Sequence, residues 1–461
     1  MGPGVRAGQA YGAVVYPVCA RRKPGNHAPM SAARDSIPQP PRGIPHRGAS
    51  RARAVRYGGL FRRAFFLPAL IAAGALVPPK ALALWDDKLE LFVSESVTHD
   101  DNVFRVSSGV DLAPVLGTSS KGDTYQTTSL GFNFDVPVAR QRFRGGLNWN
   151  DARYERFSFL DLTGRNGRAE WLWQLGNDLS GQMGYSETLA LASLANIQGG
   201  VQSTTPNPLL TRRAFFNAAY LLTPRWRFQG EASRRKQSNE APAFQANDVI
   251  VDGGGLAVSY VSPANNQIGL SMGVEEGRFP NQQLSLFDNA YRQQRVAVVT
   301  DWTITGHSRV RARVGRVSRS HDRSPQRDFE GAAFHAEYDW KPTGKLTLTA
   351  VALRDISAVE EVNTSFVLVE GVALRPTLRL TENVNVQGNF EYSNRDYLGD
   401  PLLGSTPVRS ERVRAAGLTV AYRPLRTVTL EIAMRRESRS SSVVSGDYEL
   451  NVVAVSARMG F

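Results

Sequence analysis

From about residue 88 onward the chain is a series of short runs in which apolar and polar residues alternate. A period of two puts one set of side chains on each face of an extended strand. Leu130, Phe132, Phe134 and Val136 fall on one face, and Ser129, Gly131, Asn133 and Asp135 on the other. Ile268, Leu270, Met272 and Val274 likewise oppose Gly269, Ser271, Gly273 and Glu275. Val310, Ala312 and Val314 oppose Arg309, Arg311 and Arg313, and Phe334, Ala336, Tyr338 and Trp340 oppose His335, Glu337 and Asp339. Val384, Val386, Phe390 and Tyr392 oppose Asn385, Gln387, Asn389 and Glu391. The pattern predicts an all-β protein whose sheet has two unlike faces.

The connections alternate as well. Tight-turn signals fall near Pro137, Asn177, Pro224, Pro263, Gly306, Pro342, Pro376 and Pro424, spaced 34 to 48 residues apart. Between them lie longer polar segments at 187–211, 234–248, 277–292 and 394–410. Short turns at one end and long loops at the other are the layout of outer-membrane barrels. Eight short turns join sixteen strands, and the two terminal strands bring the count to 18. That leaves about 21 residues for each strand and its connection over 84–461. A tilted spanning strand takes about 9–11 residues, so a transmembrane antiparallel up-and-down β-barrel fits. A soluble sandwich would bury its apolar face on a second sheet and would not need so many strands. Aromatics near strand ends, among them Trp149, Tyr154, Trp171, Tyr220, Trp226, Trp302, Trp340 and Tyr422, suit interfacial girdles.

The leading segment differs from the rest. Arg62-Arg63 precedes a 14-residue apolar stretch, Ala64 to Val77, and then Ala81-Leu82-Ala83. This is the n-region, h-region and cleavage site of a secretory signal peptide. It is too short for a spanning helix, which takes roughly 20 apolar residues. We expect a signal peptide over 56–83, a mature barrel over 84–461, and a disordered or mis-assigned extension over 1–55. A later translation start, at Met30 or Val55, would explain that extension.

Charge changes its meaning once it is located. The net charge is +13, which by itself suggests a nucleic-acid binder. Residues 1–83 carry 13 Lys/Arg against the single acid Asp35, leaving 42 basic and 41 acidic residues over 84–461. The excess therefore belongs to the leader, and no nucleic-acid partner is expected. The single cysteine, Cys19, also lies there, which excludes a disulfide framework or Cys-based zinc site in the barrel.

The last strand ends on Phe461, with Met459, Ala457, Val455 and Val453 behind it at alternate positions. A terminal aromatic on an alternating strand resembles the signal read by the bacterial barrel-assembly machinery. Just after the leader stands His99-Asp100-Asp101-Asn102-Val103-Phe104-Arg105. This motif, the strand layout and the terminal Phe together resemble the EpsL-like family, exosortase-associated outer-membrane proteins of extracellular-polysaccharide biosynthesis. The resemblance implies export of a polysaccharide across the outer membrane, with periplasmic and inner-membrane export components as partners. It gives the motif no chemical role. Asp100, Asp101 and Asn102 offer oxygens of the kind Ca²⁺ prefers, or they open a turn with Arg105 offsetting the acids.

Arginine on the polar faces is the other candidate chemistry. Arg309, Arg311 and Arg313 share a face, as do Arg142 with Arg144 and Arg412 with Arg414; Arg227 and Arg435 add single positions. If the apolar faces meet lipid, these residues line the lumen, because a charge on the lipid face at the bilayer midplane costs about 2–4 kcal/mol. Rings of Arg favour anionic permeants. Alternatively the arginines pair with inward acids such as Glu170, Glu231, Glu275, Glu337 and Glu391 and brace the barrel.

Enzyme motifs are scarce. The four histidines of the mature chain, His99, His307, His321 and His335, lack zincin spacing, and no G-x-S-x-G elbow occurs. The nearest hydrolase set is His321-Asp322 with Ser318, Ser320 or Ser324, in a solvated loop. Gly253-Gly254-Gly255 reads as a strand kink or bulge. No catalytic residue, metal or cofactor is expected. Three functions stay open: a polysaccharide-export barrel, a small-solute porin, and a membrane-embedded hydrolase.

Overall fold

The computed structural model describes residues 88–195, 197–198, 201–202, 204–282, 289–357, 366–399, 409–443 and 446–461. The expected extension and signal peptide lie outside the described residues. Eighteen strands form the barrel. They are β1 (Leu89–Asp100), β2 (Asp123–Val138), β3 (Gln141–Tyr154), β4 (Leu162–Leu175), β5 (Leu179–Leu191) and β6 (Pro208–Thr223). Next come β7 (Trp226–Asn239), β8 (Val249–Val261), β9 (Gln267–Arg278), β10 (Tyr291–Thr305), β11 (Ser308–Ser320) and β12 (Phe329–Trp340). The ring ends with β13 (Leu346–Ser357), β14 (Phe366–Arg379), β15 (Val384–Leu398), β16 (Arg409–Leu425), β17 (Val428–Ser441) and β18 (Tyr448–Gly460).

Each strand pairs antiparallel with the next, and β1 pairs with β18 from Phe92↔Gly460 to Asp100↔Val452, which closes the sheet. Closure satisfies every edge, and that is what allows a sheet to cross a bilayer. Both terminal strands end at the short-turn side, where Leu91 and Phe461 exchange backbone hydrogen bonds of 2.7 and 3.2 Å.

The predicted apolar faces form the outer wall. Register pairing carries one stripe around the ring: Phe228 opposite Val258, Val258 opposite Leu270, Leu270 opposite Val298, Val298 opposite Val314. Leu256 is 72% exposed and Met272 64%, values that make sense for a face solvated by acyl chains. The polar faces point inward.

Three expectations need correction or refinement. The turns expected near Pro137, Pro376 and Pro424 are present, but the prolines themselves lie inside the strands that lead into them. Pro376 stands opposite Leu348, and the ladder to β15 is interrupted beside it, between Leu374↔Phe390 and Thr377↔Gln387. Proline has no N–H to donate there. The turns themselves follow at 139–140, where Ala139 takes φ 51°, at 380–383, and at 426–427 beyond a register shift between Tyr422 and Leu425. The strands are also longer than expected, 12 to 17 residues, because they continue past the apolar belt at the long-loop end. Lastly, Gly253-Gly254-Gly255 forms no bulge: β8 keeps one register through it on both sides.

At the long-loop end the connections build their own core. Val103, Phe104, Val106 and Leu112 of the first loop pack on Phe157 and Leu160 of the second. Tyr154, expected in an outer girdle, instead stacks on Tyr125 at 4.7 Å.

Candidate functional site

The interior is lined by the polar faces, and the ladder Arg309, Arg311, Arg313 stands on β11 as the alternation requires. Their neighbours on β12 are Asp339, Glu337 and His335. Arg309 donates to both oxygens of Asp301, at 2.6 and 2.5 Å. Arg311 pairs with Glu337 and, at 2.8 Å, with Asp339. Arg313 reaches Asp355 only at 4.0 Å, because that carboxylate is already held by Arg295 at 2.6 Å.

Three other inward arginines of the candidate set are braced in a similar way. Arg142 and Arg144 converge on Asp135, at 2.5 and 3.4 Å, and Arg435 pairs with Glu437. Arg227 shares its face with Ser259 and Leu221. Of the five acids offered by the sequence, Glu337 takes a ladder arginine as expected. Most of the ladder therefore works as cross-strand bracing.

Arg412 and Arg414 are a correction. Register places them opposite Asn394 and Tyr392, on the face of Leu418, Val420 and Tyr422, so they point away from the lumen. Neither face of 409–414 carries an apolar stripe, since β16 has already risen above the belt, and alternation there cannot tell inside from outside.

A recess missed by the sequence reading opens at mid-height between β6 and β11. It is a cavity of about 290 Å³ lined by Arg213, Arg295, Arg313, Glu231, Glu275, Gln293 and the strand glycines Gly253 and Gly273. The glycines make the space: a Cβ at Gly253 would meet Ser233 Oγ at 3.2 Å, and one at Gly255 would meet Glu231 Oε1 at 2.9 Å. Arg295 crosses β11 and β12 to reach Asp355. Small residues at Gly315 and Ala333 lie in between, paired with each other. The signal for Arg213 and Arg295 was weak, as each has an apolar neighbour on one side only, Ala214 and Val296; their convergence depends on the ring.

Above the recess, Ala195, just after β5, meets β17. Arg439 on β17 donates to the carbonyl of Ala195 at 2.8 Å and to Gly446 at 2.8 Å. Its guanidinium also lies 3.4 Å from Glu411 and over the Tyr448 ring.

The 99–105 motif lies at the seam of the barrel. Asn102 donates to the carbonyls of Val106 (2.8 Å) and Glu449 (2.9 Å) and accepts from the Val106 N–H (3.0 Å). Asp101 accepts from the backbone and side chain of Asn451, at 2.7 and 2.8 Å. Asp100 accepts from the Asn102 N–H and pairs with Arg105 at 2.7 Å. His99 Nδ1 meets Thr124 Oγ1 at 3.0 Å. Arg105 takes φ 57° to turn the chain. Phe104 is fully buried against Phe157, with Val103 beside it. The carboxylate oxygens are spent on these partners, which supports the turn reading over the Ca²⁺ one. The assembly-signal residues Val453, Val455, Ala457 and Met459 share the outer face with Ile432 and Leu430.

The hydrolase set is not assembled. His321 Nδ1 faces Asp328 at 3.4 Å, with Asp322 elsewhere, and no serine hydroxyl bonds to the ring among the described residues. Burial and the neighbouring Arg319 push this imidazole down to about 4.

A family model described as "Putative beta-barrel porin 2" matches residues 301–461. No curated protein matches the sequence. Among solved structures, the outer membrane protein opdK from Pseudomonas aeruginosa is 12% identical, with a TM-score of 0.46, over 81% of this chain and 99% of that one. OccK9 (OpdG) from the same organism is 14% identical, with a TM-score of 0.44, over 81% and 98%. With its closed 18-strand ring and outward apolar belt, the chain is an outer-membrane β-barrel.

Proposed function

We propose that the barrel conducts small hydrophilic solutes and prefers anions of about organic-acid size, without bond chemistry. The observation that carries this reading is the recess, where Arg213, Arg295 and Arg313 face Glu231 and Glu275 around about 290 Å³. That is the volume of one small ligand, at the lower end of ligand pockets. Guanidinium groups in excess at a narrow point favour anions, and Arg313 is the least engaged of the ladder. Arg439 ties Ala195 to β17, and a loop tethered there restricts the mouth in this reading, which suits small solutes better than a polymer strand.

The EpsL-like resemblance supports a second reading, export of an extracellular polysaccharide with periplasmic and inner-membrane export components. Its support is the 99–105 motif and the strand layout. In either case the barrel-assembly machinery and outer-membrane lipid are the partners expected during insertion.

Planar-bilayer recording of the purified barrel in a KCl gradient tests the first reading. We expect an anion-selective reversal potential that moves toward cation preference in Arg213→Ala/Arg313→Ala. Liposome swelling should be fast with small carboxylates and negligible with oligosaccharides. A cation-selective pore unchanged by the substitutions would refute the anion preference. Loss of surface polysaccharide in a deletion strain, with small-solute uptake intact, would favour the second reading.

A further inference from the structure

The outer wall carries its charge at one end only. At the short-turn rim the outward side chains of the described strands carry no charge and are mostly apolar, among them Leu175, Leu222, Trp226, Ile304 and Trp340. At the long-loop rim, directly above the belt, they turn cationic. The densest patch runs across β4, β6, β7 and β9. There Arg165, Arg212, Arg234 and Arg278 pair with two carboxylates, and Lys236 stands beside them on the same face.

Glu187 accepts from Arg165 at 2.7 Å and from Arg212 at 2.9 Å. Asp252 accepts from Arg234 at 2.7 Å and also pairs with Arg278. Arg212 stands directly opposite Lys236 across the β6–β7 ladder. Like charges in that position destabilise a sheet unless an anion lies between them. The side chains remain open: Arg234 is 62% and Arg278 60% exposed. One step down β6 and β7 stand Ala214 and Ala232, and on β9 the belt begins at Val274, below Glu276. The patch thus sits at the height where acyl chains give way to head groups. Arg412 and Arg414, with Arg436 on β17, repeat the arrangement elsewhere on the ring.

We propose that this patch binds the phosphate groups of the phosphorylated glycolipid of the outer leaflet, with its acyl chains lying on the belt below. Arginine forks match phosphate geometry bidentately. Glu276, opposite Asp252 on the same face, is taken up by Arg292, so six cations face three carboxylates and positive charge stays in excess. Basic clusters beside an apolar belt recognise anionic head groups in this way. The site faces outward, so the proposal stands apart from what the lumen conducts.

Native mass spectrometry of the full barrel in neutral detergent tests it, with bisphosphorylated lipid A as the probe. We expect bound lipid A on the wild type. Each cation near an anionic lipid surface contributes roughly fivefold, so Arg212→Gln/Lys236→Gln/Arg278→Gln should bind about a hundredfold more weakly, with unchanged conductance. Arg212→Lys/Arg278→Lys keeps the charge and should lose only a few-fold. If the triple variant does not assemble, the wild type decides: added salt should release lipid A, and lipid A stripped of phosphate should not bind. Equal binding by the triple variant or by phosphate-free lipid overturns the proposal. Displacement of lipid A by millimolar inorganic phosphate also overturns it, by showing a free-anion site.

Discussion

Asn102 is buried at the barrel seam with three hydrogen bonds made, one of them to the last strand. Replacing it by Ala leaves the Glu449 carbonyl and both Val106 groups without their partner, and each buried loss costs about 1–3 kcal/mol. Asn102→Ala should therefore lower the denaturant midpoint of the detergent-solubilised barrel markedly. Chelation of divalent cations should leave the wild-type midpoint where it is, since the Asp100 and Asp101 oxygens are bonded within the protein. His321 makes a separate prediction. Its folded value of about 4 lies below the unfolded 6.5, so as pH falls the unfolded chain takes up the proton first. Stability is then highest above pH 6.5 and declines down to about pH 4, by on the order of 3 kcal/mol. His321→Gln should flatten that part of a stability-against-pH curve; an identical slope in the variant would rule out this histidine as the cause.

Strands were legible where one face meets lipid, because the belt enforces strict alternation. Leu270, Met272, Val310 and Val314 could be assigned to apolar faces from sequence, and Arg309, Arg311 and Arg313 to the polar one. Legibility failed where the belt ends. Arg412 and Arg414 lie in a part of β16 that has polar residues on both faces, so periodicity carried no sign. It was coarser at Pro376, where the residue that signals the turn is tolerated in the strand before it, beside an interrupted ladder. The last strand is the element most open to test. Phe461 is tied to Leu91 by two backbone hydrogen bonds and closes the seam at the short-turn end. Deleting Phe461 should reduce the yield of heat-resistant folded barrel several-fold in cells, while chemically refolded protein regains most of its β-structure. Equal loss in both settings would make the residue a stability element, with no part in recognition by the assembly machinery.

At the scale of the whole molecule, the recess and the mouth depend on residues far apart in sequence that closure of the ring brings together. Arg295 meets Asp355, and Arg439 meets Ala195. No window of sequence contains either pair, which is why the lumen was legible as a set of faces and not as a site. The Arg439 contact has the larger functional consequence. It ties the loop after β5 to β17 on a distant part of the wall, and the same guanidinium satisfies Gly446 and lies near Glu411. In Arg439→Gln the charge is gone and the bond to the Ala195 carbonyl is lost or weakened. Glu411 keeps Arg409 at 2.9 Å, so the wall itself should hold. The loop then loses its tether while the recess below keeps Arg213, Arg295 and Arg313. Single-channel conductance should rise and flicker more than in the wild type, with the anion preference unchanged, because the filter and the tether are different residues at different heights. An unchanged conductance would mean that the narrowest point lies at the recess and that the loop does not limit flow.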